Sequence, residues 1–267
     1  MSVADIVHQR GSLLVDENEL HKFVSWLPDI NWDECYLVFM IPRTRKFKEM
    51  FGTSIKETVI ERLVVPGYVD SWRDKFIRHV RKLGILGYYS SELYTMRKHG
   101  YDISVPWEVL GILVCLNACN WVKASLDTVE DYISIVRRVY SSPEAFSREM
   151  KRIDMMFYSN LHSTCRGRFH LIDLDTRDEG TVSIVEEVLE MVFSRVPPKI
   201  TTPHGYHYII DTQAMPVELR AQWFAKGGIR DMLVDRFRNV LEYKDSVVQS
   251  PVPGTVYQGS HIVRFLY

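Results

Sequence analysis

The chain is predicted to be a mixed α/β protein of the α+β kind, built as two modules sharing one core. Three observations predict this. Short apolar runs such as ECYLVFMIP (34–42), EVLGILVCLN (108–117) and RFHLIDLD (168–175) have the length and density of buried strands. Segments with apolar residues at helical spacing lie between them, so strands and helices alternate along the chain. The 267 residues, 46% of them hydrophobic, suffice for one large domain or two intimate ones. The break is placed near 141–150, dividing the chain into 1–145 and 146–267.

Each element follows from local chemistry. The run 34–42 is a strand stopped by Pro42. RTRKFKEMFG (43–52) is basic with interleaved aromatics, helical in propensity, and ends on Gly52. SWRDKFIRHVRKLG (71–84) spaces Trp72, Phe76, Val80 and Leu83 as an amphipathic helix, with Gly84 suited to its C-cap. A second buried strand covers 108–117. TVEDYISIVRRVY (128–140) reads as a helix capped by Thr128 or Asp127. Strand 168–175 opens the second half, followed by helix 181–196, stopped at Pro197-Pro198. GYHYIID (205–211) is a strand, and 216–228 and 229–241 are helices. A tail punctuated by Gly and Pro closes the chain.

Bulk properties exclude little about partners. Lys and Arg number 33 against 34 Asp and Glu, and a basic groove can hide within a net charge of −1. The four cysteines contain no C-x-x-C pair, and Cys115 and Cys119 are read as having no matching distal Cys/His pair. No structural zinc is therefore expected, and the cysteines are read as free buried thiols in a reducing cytoplasm. The longest apolar run, VLGILVCL (109–116), is far short of the ~20 residues a membrane helix needs. With no signal peptide recognised, a soluble cytoplasmic protein is expected.

Three features carry chemistry. In FHLIDLDTRDE (169–179) strand periodicity sets Phe169, Leu171, Asp173 and Asp175 on one face. Adjacent carboxylates repel and are costly to desolvate, so a positive group is expected between them, and a hard divalent cation with oxygen ligands suits that place. The alternative is a strand running out into a solvated acidic turn. In ITTPHGYHYIID (200–211), Gly205 permits close backbone approach, and His207, Ile209 and Asp211 share a face of the following strand. In YKDSVVQSPVPGTVYQG (243–259), Asp245 precedes the Pro253-Gly254-Thr255 turn.

Taken in order, LIDLD, TPHGYHYI and Asp245 with PGT resemble the archaeo-eukaryotic primase superfamily of primases and primase-polymerases. The likeness covers 168–259 well and the first half only loosely, through LVCLNACNWVKAS (113–125). The resemblance implies an RRM-like catalytic module packed on an N-terminal αβ module. It implies template-directed nucleotidyl transfer with two Mg²⁺ or Mn²⁺ ions held by Asp173, Asp175 and Asp245, and His207 on a phosphate of the incoming nucleotide. Asp211 competes as third carboxylate but lies four residues from His207, some 13 Å along a strand. Thr202 and Gly205 of the second motif join the expected substrate-binding set. Arg43, Arg45, Lys46, Lys123 and Arg264 are the expected cationic contacts. The implied partners are single-stranded DNA template, NTP or dNTP, and a helicase or accessory primase subunit, with no membrane. The implied location is the nucleoid or sites of replication.

The chain departs from the family pattern near the third motif. Pro251 stands where an arginine is usual, and Tyr257, Gln258 and Gly259 where a basic residue often follows. The chain stops just past this motif, so an accessory domain is expected to be absent or separate. Two other readings stand beside catalysis: a non-catalytic or weakly active DNA-binding replication initiator of the same fold, and a D-x-D glycosyltransferase using a sugar nucleotide.

Overall fold

The structure, a computed structural model, describes residues 2–98, 101–141, 153–165, 167–245 and 248–267 and is mixed α+β. Helices α1 (Val3–Arg10) and α2 (Glu17–Trp26) lead into β1 (Glu34–Pro42). Next come α3 (Thr44–Phe51), β2 (Glu61–Pro66), α4 (Trp72–Tyr88), α5 (Ser90–Leu93) and an antiparallel pair, β3 (Thr95–Lys98) and β4 (Tyr101–Ser104). Then follow β5 (Leu110–Cys115), β6 (Cys119–Asn120), α6 (Trp121–Ser141) and α7 (Ile153–Ser163). The remainder holds β7 (Phe169–Leu174), α8 (Glu179–Phe193), β8 (Lys199–Thr201), β9 (Tyr206–Asp211), α9 (Val217–Phe224), α10 (Ile229–Arg236) and β10 (Leu241–Lys244). The chain finishes with β11 (Gln249–Pro251), β12 (Val256–Tyr257), β13 (His261–Ile262) and β14 (Phe265–Leu266).

Two antiparallel five-stranded sheets result. The first runs β11-β5-β1-β2, with β6 also on β1; the second runs β10-β7-β9-β8-β14. β1 and β5 are buried at every position, as strands covered on both faces must be. The second sheet alternates instead. Phe169, Leu171 and Ile209 join the core of the first sheet, while Ile172, Leu174, Tyr208 and Ile210 pack with Val185 and Leu189 of α8 and with Trp223 and Leu233. The row Phe169–Leu171–Asp173 thus faces the first sheet and turns acidic where the core opens.

The two sheets are stitched by the end of the chain. β10 belongs to the second sheet, β11 to the first and β14 again to the second. Leu14 pairs with Thr255, and the Phe265 N–H donates to the Glu19 carboxylate at 2.8 Å. A division at 145 therefore separates β11 from its neighbour β5 in space.

Several sequence expectations change. Gly84 lies inside α4 rather than at its end, because the helix backbone passes close to the N-terminal segment. A Cβ there would stand 2.5 Å from Ser12 Oγ and 3.0 Å from Leu14 N. Thr128 and Asp127 are interior to α6; Asn120 Oδ1 accepts from the Lys123 N–H at 2.7 Å at the helix start, and the Thr128 hydroxyl donates to the Ala124 carbonyl. The segment read as helix 229–241 is helical only to Arg236, and Leu241–Lys244 is a strand paired with β7. Cys119 and Cys165 form a disulfide, leaving Cys35 and Cys115 as buried thiols. Most of the predicted break, 142–150, lies outside the described residues.

Candidate functional site

β7 and β9 run antiparallel with Asp173 opposite His207. This register depends on Gly205, where a Cβ would stand 1.8 Å from the Leu174 carbonyl oxygen. The two strands can close on each other only because that position lacks a side chain. Thr202 Oγ1 accepts from the Gly205 N–H at 3.1 Å, and Arg177 donates to the Thr202 carbonyl at 2.7 Å, fixing the turn before β9.

Asp173 is gripped from both neighbouring strands. Its Oδ1 lies 3.2 Å from His207 Nε2, and its Oδ2 accepts from Lys244 Nζ at 2.6 Å. Burial alone would raise the Asp173 carboxyl, but the hydrogen bonds and charges of His207 and Lys244 outweigh it and hold the group well below the usual carboxylate range. Lys244 also reaches the Glu242 carboxylate at 3.3 Å, and Glu242 sits opposite Asp173 across the ladder. The positive group expected between Asp173 and Asp175 is not what Lys244 supplies; its ammonium lies between Asp173 and Glu242.

Asp173 and Asp175 open onto a cleft of about 150 Å³ together with Thr202, His204 and His207. The opposite wall comes from the first sheet's side: Arg43, Arg45, Glu57, Tyr257 and Gln258. Arg43 pairs with Glu57 at 3.1 Å and lies over the Tyr257 ring at 5.3 Å, and its Nε is buried without a hydrogen-bond partner.

Other expected residues are not brought there. The register that sets Lys244 opposite Leu171 carries Asp245 to the level of His170, on the face opposite Asp173. Asp245 is exposed there, and its charge acts on His170 and Tyr243. Asp211 lies at the far end of β9, opposite Phe169, bound to Arg168 at 2.7 Å. Lys123 pairs with Asp127 on α6 at 2.7 Å, and Lys46 with Glu49 on α3 at 3.3 Å; neither lines the cleft. The Arg264 N–H donates to Thr201 Oγ1 at 2.9 Å, and its residue does not line the cleft either.

The sequence reading passed over Lys244, Glu242, Glu57 and Ser250. His207 Nδ1 lies 3.0 Å from Ser250 Oγ on β11, completing an Asp–His–Ser chain between the sheets. Ser250 is fully buried, so no electrophile reaches it; the chain orients His207 instead of activating a nucleophile. Both ring nitrogens of His207 are thus engaged, one by Asp173 and the other by Ser250. A period-two reading of 241–244, just past the helix expected over 229–241, puts Glu242 and Lys244 on one face.

Asn117, within the stretch LVCLNACNWVKAS, clamps the start of β7. Its Nδ2 donates to the Phe169 carbonyl at 2.8 Å, and its Oδ1 accepts from the Phe169 N–H at 2.7 Å. No helix among the described residues is long and apolar enough to cross a membrane. Comparison with protein-family models, curated proteins and solved structures finds no match.

Proposed function

We propose that this cleft binds the phosphates of a nucleotide and that the protein is a template-directed nucleotidyltransferase of the primase or primase-polymerase type. The observation that carries the reading is the cleft itself. Two strand-end carboxylates, Asp173 and Asp175, face two arginines, Arg43 and Arg45, supplied from the other sheet's side. Phosphoryl transfer concentrates negative charge and needs both kinds of group close together.

The donor set suits a hard cation in part. Asp173 and Asp175 offer oxygen ligands on one cleft wall. Asp245 does not supply the third carboxylate, and Glu242, which shares Lys244 with Asp173, does not line the cleft. Asp173 and Asp175 would hold Mg²⁺ or Mn²⁺, which when bound neutralises the triphosphate and acidifies a 3′-hydroxyl. His207 holds Asp173 in orientation, and Lys244 keeps its charge balanced. Arg43 and Arg45 line the cleft beside His204, bringing two guanidinium groups to where the phosphates would lie. At about 150 Å³ the cleft is smaller than the ~300–1,000 Å³ of ordinary ligand pockets, so it suits phosphates, with sugar and base on the rim.

A second reading, a non-catalytic DNA-binding initiator, draws support from the Lys244–Asp173 pair, which occupies a carboxylate that a metal would need. Incubation with Mn²⁺, labelled nucleotides and single-stranded template, with and without primer, separates the two. Extension lost in Asp173→Ala supports catalysis. Template binding without extension supports the initiator.

A further inference from the structure

Three potential metal ligands, with a fourth cysteine bonded to one of them, meet where β5, β6 and α7 come together, away from the cleft. β5 ends on Cys115 and β6 begins on Cys119. α7 presents His162 in its last turn, and Cys165 follows, facing Cys119 across an isolated antiparallel bridge. Ligand atoms of Cys115, His162 and Cys165 all lie within 4.8 Å of one another, the sole such His/Cys/Asp/Glu group among the described residues. The Cys115 and Cys165 sulfurs are 4.0 Å apart, and Cys119 Sγ is bonded to Cys165 Sγ. Thiolates bound tetrahedrally to zinc at ~2.3 Å stand roughly 3.8 Å from each other, close to this spacing.

A second observation points to a ligand. His162 Nδ1 is buried and makes no hydrogen bond, a costly arrangement for an imidazole with no task. The spacing agrees as well. Cys115-x₃-Cys119 and His162-x₂-Cys165 are two short-range ligand pairs, the second being the distal Cys/His pair that the sequence reading overlooked.

We propose that Cys115, Cys119, His162 and Cys165 form a redox-gated zinc site, closed by the Cys119–Cys165 disulfide and opened by its reduction. A dithiol reductant delivers two electrons and two protons to the S–S bond, yielding two thiols as the reductant closes to its own disulfide. Zinc then takes three thiolates and one neutral imidazole nitrogen, a common structural zinc set, and the three thiol protons leave to solvent. The disulfide ties β6 to Cys165, four residues before β7, and zinc would tie β5 there as well. This inference stands apart from the proposed nucleotidyl transfer.

The test uses the full chain, reduced with a phosphine, freed of metal and titrated anaerobically with Zn²⁺ against a chromogenic chelator, then with Co²⁺ by absorption. One zinc per reduced chain is expected, with thiolate charge-transfer and tetrahedral Co²⁺ bands, and none after oxidation by diamide. Changes to residues that merely orient ligands cost ~10–100-fold in affinity, so Cys115→Ser and His162→Ala should each cost more than ~100-fold. His162→Cys should restore binding, which separates a lost ligand from a lost fold. The proposal is overturned if the reduced chain takes up no zinc, if the oxidised chain binds equally well, or if His162→Cys fails as His162→Ala does.

Discussion

Replacing Asn117 with alanine tests how the first sheet holds the strand that bears Asp173. The Asn117 side chain is 1% exposed and bonds both main-chain groups of Phe169. Alanine would leave a buried N–H and a buried C=O unpaired, at ~1–3 kcal/mol each, or ~2–6 kcal/mol together. A cavity lined by Asn117, Tyr36 and Arg168 lets water approach, which favours the lower half. The expected loss is therefore about 3 kcal/mol, or ~6–12 °C in Tm for a chain of this size. Asn117→Asp separates hydrogen bonding from size. It keeps an acceptor for the Phe169 N–H but sets a second oxygen, charged at neutral pH, against the Phe169 carbonyl. Its deficit should exceed that of alanine at pH 7 and shrink as the carboxyl gains a proton that it can donate. Urea unfolding at pH 7 and pH 5, followed by tryptophan fluorescence, reads both effects. A loss below ~1 kcal/mol for Asn117→Ala would refute the clamp, since even one unpaired buried group costs that much.

Further outcomes follow from the cleft. Lys244→Met should tighten Mn²⁺ binding about 15-fold, because a unit charge roughly 5 Å from a divalent ion in water-like surroundings costs about 1.7 kcal/mol; unchanged affinity by calorimetry would mean that Lys244 does not compete with metal. Asp173 has a depressed carboxyl in the fold, so its contribution to stability is complete above the unfolded value of ~3.9 and is lost as pH falls through the folded one. Asp173→Asn should therefore flatten the fall in urea midpoint between pH 5 and pH 2, and equal slopes would count against the His207–Lys244 grip. Arg43→Ala with Arg45→Ala should weaken single-strand binding for any sequence and reduce the salt slope by ~1.4, from ~0.7 per phosphate contact. Fluorescence anisotropy across a salt series checks this, and an unaltered slope would return both arginines to an ordinary solvated surface.

How far the site was legible depended on how local its determinants are. The strands at 34–42 and 169–174 could be read because saturated apolar runs announce burial, and the shared face of Asp173 and Asp175 follows from a period of two. The role of Gly205 was also visible as a close backbone approach, though not what it approached. Asp245 was misplaced because proximity to a turn says nothing about strand register, and a shift of one residue reverses every side chain. Glu242 and Lys244 fall just past the segment read as helix 229–241, where four residues alone do not announce a strand paired with β7. Thr128 was taken for a cap because the sequence does not reveal that Asn120 starts the helix two turns earlier. The Cys/His cluster requires two distant segments to meet, which only the tertiary fold decides.

The strand order has a consequence for how the protein is made. A chain emerging N-terminus first presents β1, β2 and β5 long before residues 249–251 exist to cover the edge of β5. The partner of Leu14 and the donor to Glu19 come later still. Through most of its synthesis the nascent polypeptide thus carries an apolar sheet with one bare edge, the kind of surface that recruits other strands. Ribosome stalling or premature termination before 249 would release that edge permanently. Residues 249–265 therefore cover that edge, and losing them should produce aggregation-prone chains in place of a smaller working protein.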